Sequence, residues 1–205
     1  GATVVRGLPE VMGEYPAAAM AEEITSAGDQ RMRAMVTVAG NPVLSTPDGE
    51  ALDAALAQLD FMVSVDIYLN ETTRHADVIL PPPSNLQRSH YDLALLQFAV
   101  RNIANYSAPV FPLEPGQPDE WEILARLGLI AAGMGLEVSP ADADALGVAA
   151  LVQGAVSDPT SPVHGRDAGE ILAALGDQPG PDRMLDFMLQ TGPFGAAFGA
   201  NPGGS

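Results

Sequence analysis

The side chains best suited to chemistry in this 205-residue chain are Asn41, Asp66, Arg88 and Asp119. A carboxylate accepts from N–H and O–H donors, a guanidinium pairs with anionic oxygens, and an amide in a glycine-containing loop offers both functions. Their spacing follows the predicted elements. Gly40 and Asn41 close a first strand, Asp66 follows Val65 at the end of a second, Arg88 lies a few residues past a third, and Asp119 opens a long helix. Open α/β sheets receive ligands at the carboxyl ends of their strands, so this ordered set reads as a binding rim. Each residue alone also has a structural reading: Gly40-Asn41-Pro42 is an ordinary turn, Asp66 caps a strand, and Asp119 is a good helix N-cap.

No catalytic constellation accompanies the rim. His75, His90 and His164 are scattered and form no HxxxH or HExxH pair, and GxSxG, Walker and GxGxxG motifs are missing. His75, in a turn before a strand, reads as a surface or capping residue. No catalytic residue and no metal ligand is therefore assigned. The absence of cysteine excludes disulfides, thiolate-bound zinc, iron–sulfur ligation and thiol nucleophiles within this chain. Nine Lys and Arg stand against 26 Asp and Glu, a net charge of −17. Such a field repels phosphate backbones and anionic headgroups, which disfavours nucleic acid and membrane surfaces as partners. No apolar run is long enough to span a bilayer, and the opening GATVVRGLPEV lacks a signal pattern, so a cytoplasmic location is expected.

The elements that must position the rim follow from local pattern. Pro16 opens a short helix through PAAAMAEEIT, and Arg33 to Gly40 is a β-branched strand stopped by Gly40-Asn41-Pro42. EALDAALAQL carries Leu52, Ala55, Leu56 and Leu59 on one helical face. FMVSV, residues 61–65, is a second strand. A helical turn over 71–75 with Asn70 as its cap leads into a third strand, ADVIL, closed by three prolines. Near-continuous apolar strands alternating with helices predict a parallel sheet covered on both faces. DEWEILARLGLIAAGMG is a long helix with Trp121, Leu124, Leu127 and Ile130 near helical spacing and Gly133 at its end. Further helices are expected at 140–153, 168–175 and 181–191, followed by a Gly- and Ala-rich stretch that reads as a linker.

The ordered set of a GNP loop, a strand ending in aspartate, the block ETTRHADVILPPPS and the helix start Pro118-Asp119-Glu120-Trp121 resembles the third domain of the dimethyl sulfoxide reductase family. That family of molybdopterin oxidoreductases includes formate dehydrogenases and nitrate reductases. The resemblance is strongest from Val38 to Arg88 and at 118–123. It implies a Rossmann-like α/β domain, an open parallel sheet with helices on both faces, over residues 1–136. Residues 137–205 would form a helical extension and linker toward a missing C-terminal domain.

The cofactor implied is molybdopterin guanine dinucleotide carrying molybdenum or tungsten. Any iron–sulfur cluster would belong to an N-terminal part not contained here. Gly40, Asn41, Val65, Asp66, Arg88 and Asp119 are the implied cofactor-binding residues, with Asp119 at the guanine edge, Asp66 at the ribose or base, and Arg88 where relatives carry a cation. Gln87-Arg88-Ser89-His90 departs from the family's usual acidic, glycine-containing turn. The implied partners are the remaining domains of the same enzyme and the small-molecule redox substrate of the whole. Such a fragment is inactive alone. The competing reading is a free-standing Rossmann-like nucleotide-binding or protein-interaction module without redox activity.

Overall fold

The computed structural model describes residues 1–92, 98–101, 103–135 and 137–200. The chain divides into two compact units, Gly1–Ser84 and Asn85–Ser205. This division lies upstream of the 136/137 boundary expected from the sequence.

Unit 1 is α/β. Strands β1 (Ala34–Val38), β2 (Phe61–Val65) and β3 (Val78–Ile79) form a parallel sheet in the order β1-β2-β3. The register sets Val38 beside Val65 and Ser64 beside Ile79. Parallel neighbours require a crossover, and between β1 and β2 it is built from α2 (Pro42–Ser45) and α3 (Gly49–Leu56). Asp48, at φ +58°, caps α3 by accepting from the Ala51 N–H. Helix α1 (Met20–Thr25) joins α3 over the sheet, and Ile24, Leu52, Ala55, Leu56 and Met62 form one buried cluster, with Met35 and Val43 at its margin. Pro16 precedes this helical stretch as a cap, and the first turn, Ala17–Ala19, is a 3-10 helix.

The expected helical cover on both faces is met in unit 1 on one. The α-helices of this unit pack on the Met62 side. On the other side of the sheet Val63 and Val65 of the central strand are buried, whereas Val36, Val38 and Val78 on the flanking strands are 55%, 47% and 40% exposed. Apolar strand residues revealed that each side could be buried but not which elements would bury it.

Unit 2 begins with a short antiparallel pair, β4 (His90–Tyr91) and β5 (Tyr106–Ser107), which the sequence pattern did not announce. Helices α4 (Glu120–Ala131), α5 (Pro140–Ser157), α6 (Ala168–Leu175) and α7 (Pro181–Thr191) follow. Valines 148, 152 and 156 recur every fourth residue on α5 and pack with Val163, Ile171 and Phe187. The stretch after Gly192, expected as a linker, is anchored at Ala197 and Phe198 while Phe194 is exposed: Ala197 is buried, Phe198 lies 6.2 Å from Phe187 between ring centroids, and Arg166 Nη1 donates to the Ala197 and Phe198 carbonyls. Its last five residues lie outside the described residues. On α4 the predicted apolar face is corrected: Leu124 and Ile130 are exposed, and Leu129 is the buried residue. The helix is apolar nearly all round, so periodicity could not select its inner face. No helix among the described residues is long and apolar enough to cross a membrane.

Candidate functional site

In unit 1 the chain leaves β1 and β2 side by side. The Ala39 N–H donates to the Val65 carbonyl at 2.9 Å, so the loop at Gly40-Asn41 and the residue Asp66 emerge at one rim. Ala39 takes the left-handed conformation there, at φ +48°, whereas Gly40 does not. Gly40 is exposed, and a Cβ built on it would meet nothing nearer than 3.9 Å. The glycine leaves an open approach to the backbone rather than relieving a clash. Among the described residues, the N–H groups of Gly40 and Asn41 have no hydrogen-bond acceptor.

Asn41's side chain is occupied. Its Nδ2 donates to Glu71 Oε2 at 2.7 Å, and its Oδ1 accepts from the Thr72 hydroxyl at 2.7 Å. That buried hydroxyl also accepts from the Val43 N–H at 3.1 Å. The hydrogen bond from Asn41 holds Glu71 below its ordinary carboxylate pKa. Asn70 supplies the expected cap, its Oδ1 accepting from the N–H groups of Thr72 and Thr73 at 2.9 Å. Asp66 is buried, and its Oδ1 accepts from the Tyr68 N–H at 2.9 Å. No donor among the described residues is paired with Oδ2. Val65 is fully buried and its carbonyl is already bonded to Ala39, so it acts on the rim as a support. Beyond Asp66 the rim turns apolar, with Ile67, Tyr68 and Leu69 at 56%, 67% and 78% exposed.

Arg88 and Asp119 belong to unit 2 and meet at the start of α4. Arg88 forms an ion pair with Glu120, and its Nη2 donates to Asn85 Oδ1 at 2.8 Å. Asp119 caps α4 in a capping box: its Oδ1 accepts from the Glu120 N–H at 2.6 Å, and Glu122 Oε2 accepts from the Asp119 N–H at 2.7 Å. Burial pushes the Asp119 carboxyl above its ordinary pKa, and repulsion from Glu122 adds to this, while Arg88 opposes it. The structural reading of Asp119 as a helix cap is therefore realised, with one oxygen engaged by the backbone.

Pattern reading missed the partners. Glu71, Thr72 and Tyr68 fix the rim in unit 1, and Glu120 engages Arg88 in unit 2. The ET pair was visible as part of a motif, yet its contact with Asn41 spans 30 residues and has no local signature. His75 is also tied inward: its Nε2 lies 2.6 Å from Asp53 Oδ1, with the ring 15% exposed. Arg74 Nη2 lies 2.6 Å from both oxygens of Asp53.

Residues 2–88 match the family model described as molybdopterin oxidoreductase. The assimilatory nitrate reductase catalytic subunit of Bacillus subtilis (strain 168) is 33% identical over 66 residues, covering 32% of this chain and 9% of that protein. The F420-dependent formate dehydrogenase subunit alpha of Methanocaldococcus jannaschii is 37% identical over 59 residues, 29% of this chain and 9% of that protein. A nitrate reductase of Symbiobacterium thermophilum is 31% identical over 110 residues, 52% of this chain and 14% of that protein. The chain thus spans only between 9% and 14% of the length of these curated relatives.

Proposed function

Because this chain belongs, through residues 2–88, to the molybdopterin oxidoreductase family, we propose that it is the part of such an enzyme that grips the guanine dinucleotide portion of the cofactor. The observation that carries this reading is the rim of unit 1, which lies within the matched segment. Two backbone N–H groups without acceptors among the described residues, at Gly40 and Asn41, follow the end of β1, as Asp66 follows the end of the adjacent parallel β2. This donor and acceptor set fits the group. Free N–H groups suit a pyrophosphate, and a carboxylate oxygen without a donor suits a ribose hydroxyl or a base N–H.

In this reading Asn41 offers its backbone, since its side chain is committed to Glu71 and Thr72. Val65 holds the strand end in place, and Asp66 accepts from the nucleoside. Residues 1–136 act as the dinucleotide-binding part and 137–205 as an extension toward other domains. The bound cofactor supplies the electron transfer, with molybdenum or tungsten as its metal. The metal ligand and the small-molecule substrate site come from the remaining domains, and the chain alone turns over no substrate. Exposed Ile67, Tyr68 and Leu69 support a surface that further protein covers.

Calorimetric titration of the chain with a guanine dinucleotide and its adenine counterpart tests the proposal. The guanine compound is expected to bind more tightly, with Asp66→Asn weakening it. Equal affinity for the two, or none for either, overturns the reading and favours a protein-interaction module.

A further inference from the structure

Unit 2 contains a cleft of about 530 Å³ whose lining includes Arg88. Met184 and Met188, one turn apart on α7, form an apolar floor and are 39% and 41% exposed. Tyr91 of β4 and Tyr106 of β5 contribute aromatic walls, and Glu120 and Asp182 line the same space.

The charges in the cleft do not balance. Arg88 is taken by Glu120, which leaves Asp182 without a cationic partner among the described residues. Among the described residues its donors are hydroxyls: Ser89 Oγ to Oδ1 and Tyr106 Oη to Oδ2, each at 3.2 Å. Hydroxyl-to-carboxylate bonds of full strength measure about 2.5–2.7 Å, so both are slack. Each carboxylate oxygen also has room for a second donor. A negative centre weakly held between tyrosines, above polarizable methionines, selects a cation with an apolar body, because ring faces attract cations and thioethers accommodate flat groups. The net charge of −17 adds a field of the same sign.

We propose that this cleft binds a small organic cation of the amidinium or guanidinium class, with two N–H groups directed at Asp182 and the apolar body over Met184 and Met188. Its ligand carries a charge opposite to that of the dinucleotide proposed for unit 1.

Benzamidinium is the probe, and neutral benzamide, of nearly the same shape, is its control. Both are titrated into the full chain under the same buffer conditions. Saturable binding of benzamidinium is expected, at least about tenfold tighter than benzamide, the equivalent of about 1.4 kcal/mol. Asp182→Asn should abolish that preference while leaving the circular dichroism spectrum unchanged. Equal binding of the two compounds, no binding of benzamidinium at millimolar concentration, or a preference that survives in Asp182→Asn overturns the proposal. Should Asp182→Asn fail to fold, the double variant Ser89→Ala, Tyr106→Phe decides. It frees both oxygens of Asp182, so benzamidinium should bind at least as tightly as to the parent chain, and weaker binding overturns the proposal.

Discussion

Asn41 Nδ2 donates to Glu71 Oε2 at 2.7 Å, latching the loop that leaves β1 to the loop that leaves β2. The same amide accepts from the fully buried Thr72 hydroxyl. Asn41→Ala therefore leaves a buried donor unsatisfied, which costs about 1–3 kcal/mol. Urea unfolding should show a lower midpoint with an unchanged slope. An unchanged midpoint would mean that the latch carries no stability.

Ala39 is the left-handed residue at the end of β1. A Cβ is disfavoured in that conformation, so Ala39→Gly should stabilise the chain by roughly 0.5–1 kcal/mol despite the greater freedom of glycine in the unfolded state. Ala39→Val should destabilise it. Thermal melts of the two variants should move in opposite directions.

Asp53 lies below its ordinary pKa, first through the hydrogen bond from Arg74 and then through that from His75. A depressed carboxylate contributes stability that is complete above its unfolded value, about 4, and is lost as pH falls through the folded value. The melting temperatures of the parent and Asp53→Asn should differ at neutral pH and converge in acid. A constant gap at all pH values would show that the Asp53 charge does not matter to folding.

Asp119 has the opposite sign. Burial raises its pKa, so its contribution is present below the unfolded value and is lost as pH rises through the raised folded one. Asparagine caps helices as well as aspartate does. Asp119→Asn should therefore gain stability relative to the parent as pH climbs above about 4, the ordinary carboxylate value. A variant that grows less stable with pH contradicts this.

In unit 2, Asp144 and Arg183 pair at 2.5 Å with side chains 10% and 11% exposed, and Asp144 also accepts from the Gly180 N–H at 3.1 Å. Arg183 Nε is already buried without a partner. Asp144→Ala strands the guanidinium and should cost about 3–5 kcal/mol, whereas the double variant Asp144→Leu, Arg183→Met should cost much less. Chemical denaturation of the two separates an uncompensated charge from lost packing.

The sequence by itself determined the local elements and the residues at their ends. β2 at 61–65, α6 at 168–175 and α7 at 181–191 follow their apolar period and boundary signals, and the placement of Asn41 and Asp66 at strand ends follows from where those signals stop. The family match at residues 2–88 contains β2, Asn41 and Asp66 but not the helix start at 118–121, α6 or α7. Only the tertiary structure decided the partners: Glu71 for Asn41, Asp53 for His75, and Asp182 for Ser89, 93 residues away. It also decided that Ala39, not Gly40, takes the strained conformation, that Leu129 is the residue α4 buries, and that His90–Tyr91 pairs with Tyr106–Ser107. The reason is physical. Backbone propensity and amphipathic period act over a few neighbouring residues, while side-chain pairing, strain and the choice of a buried face depend on which distant surfaces meet.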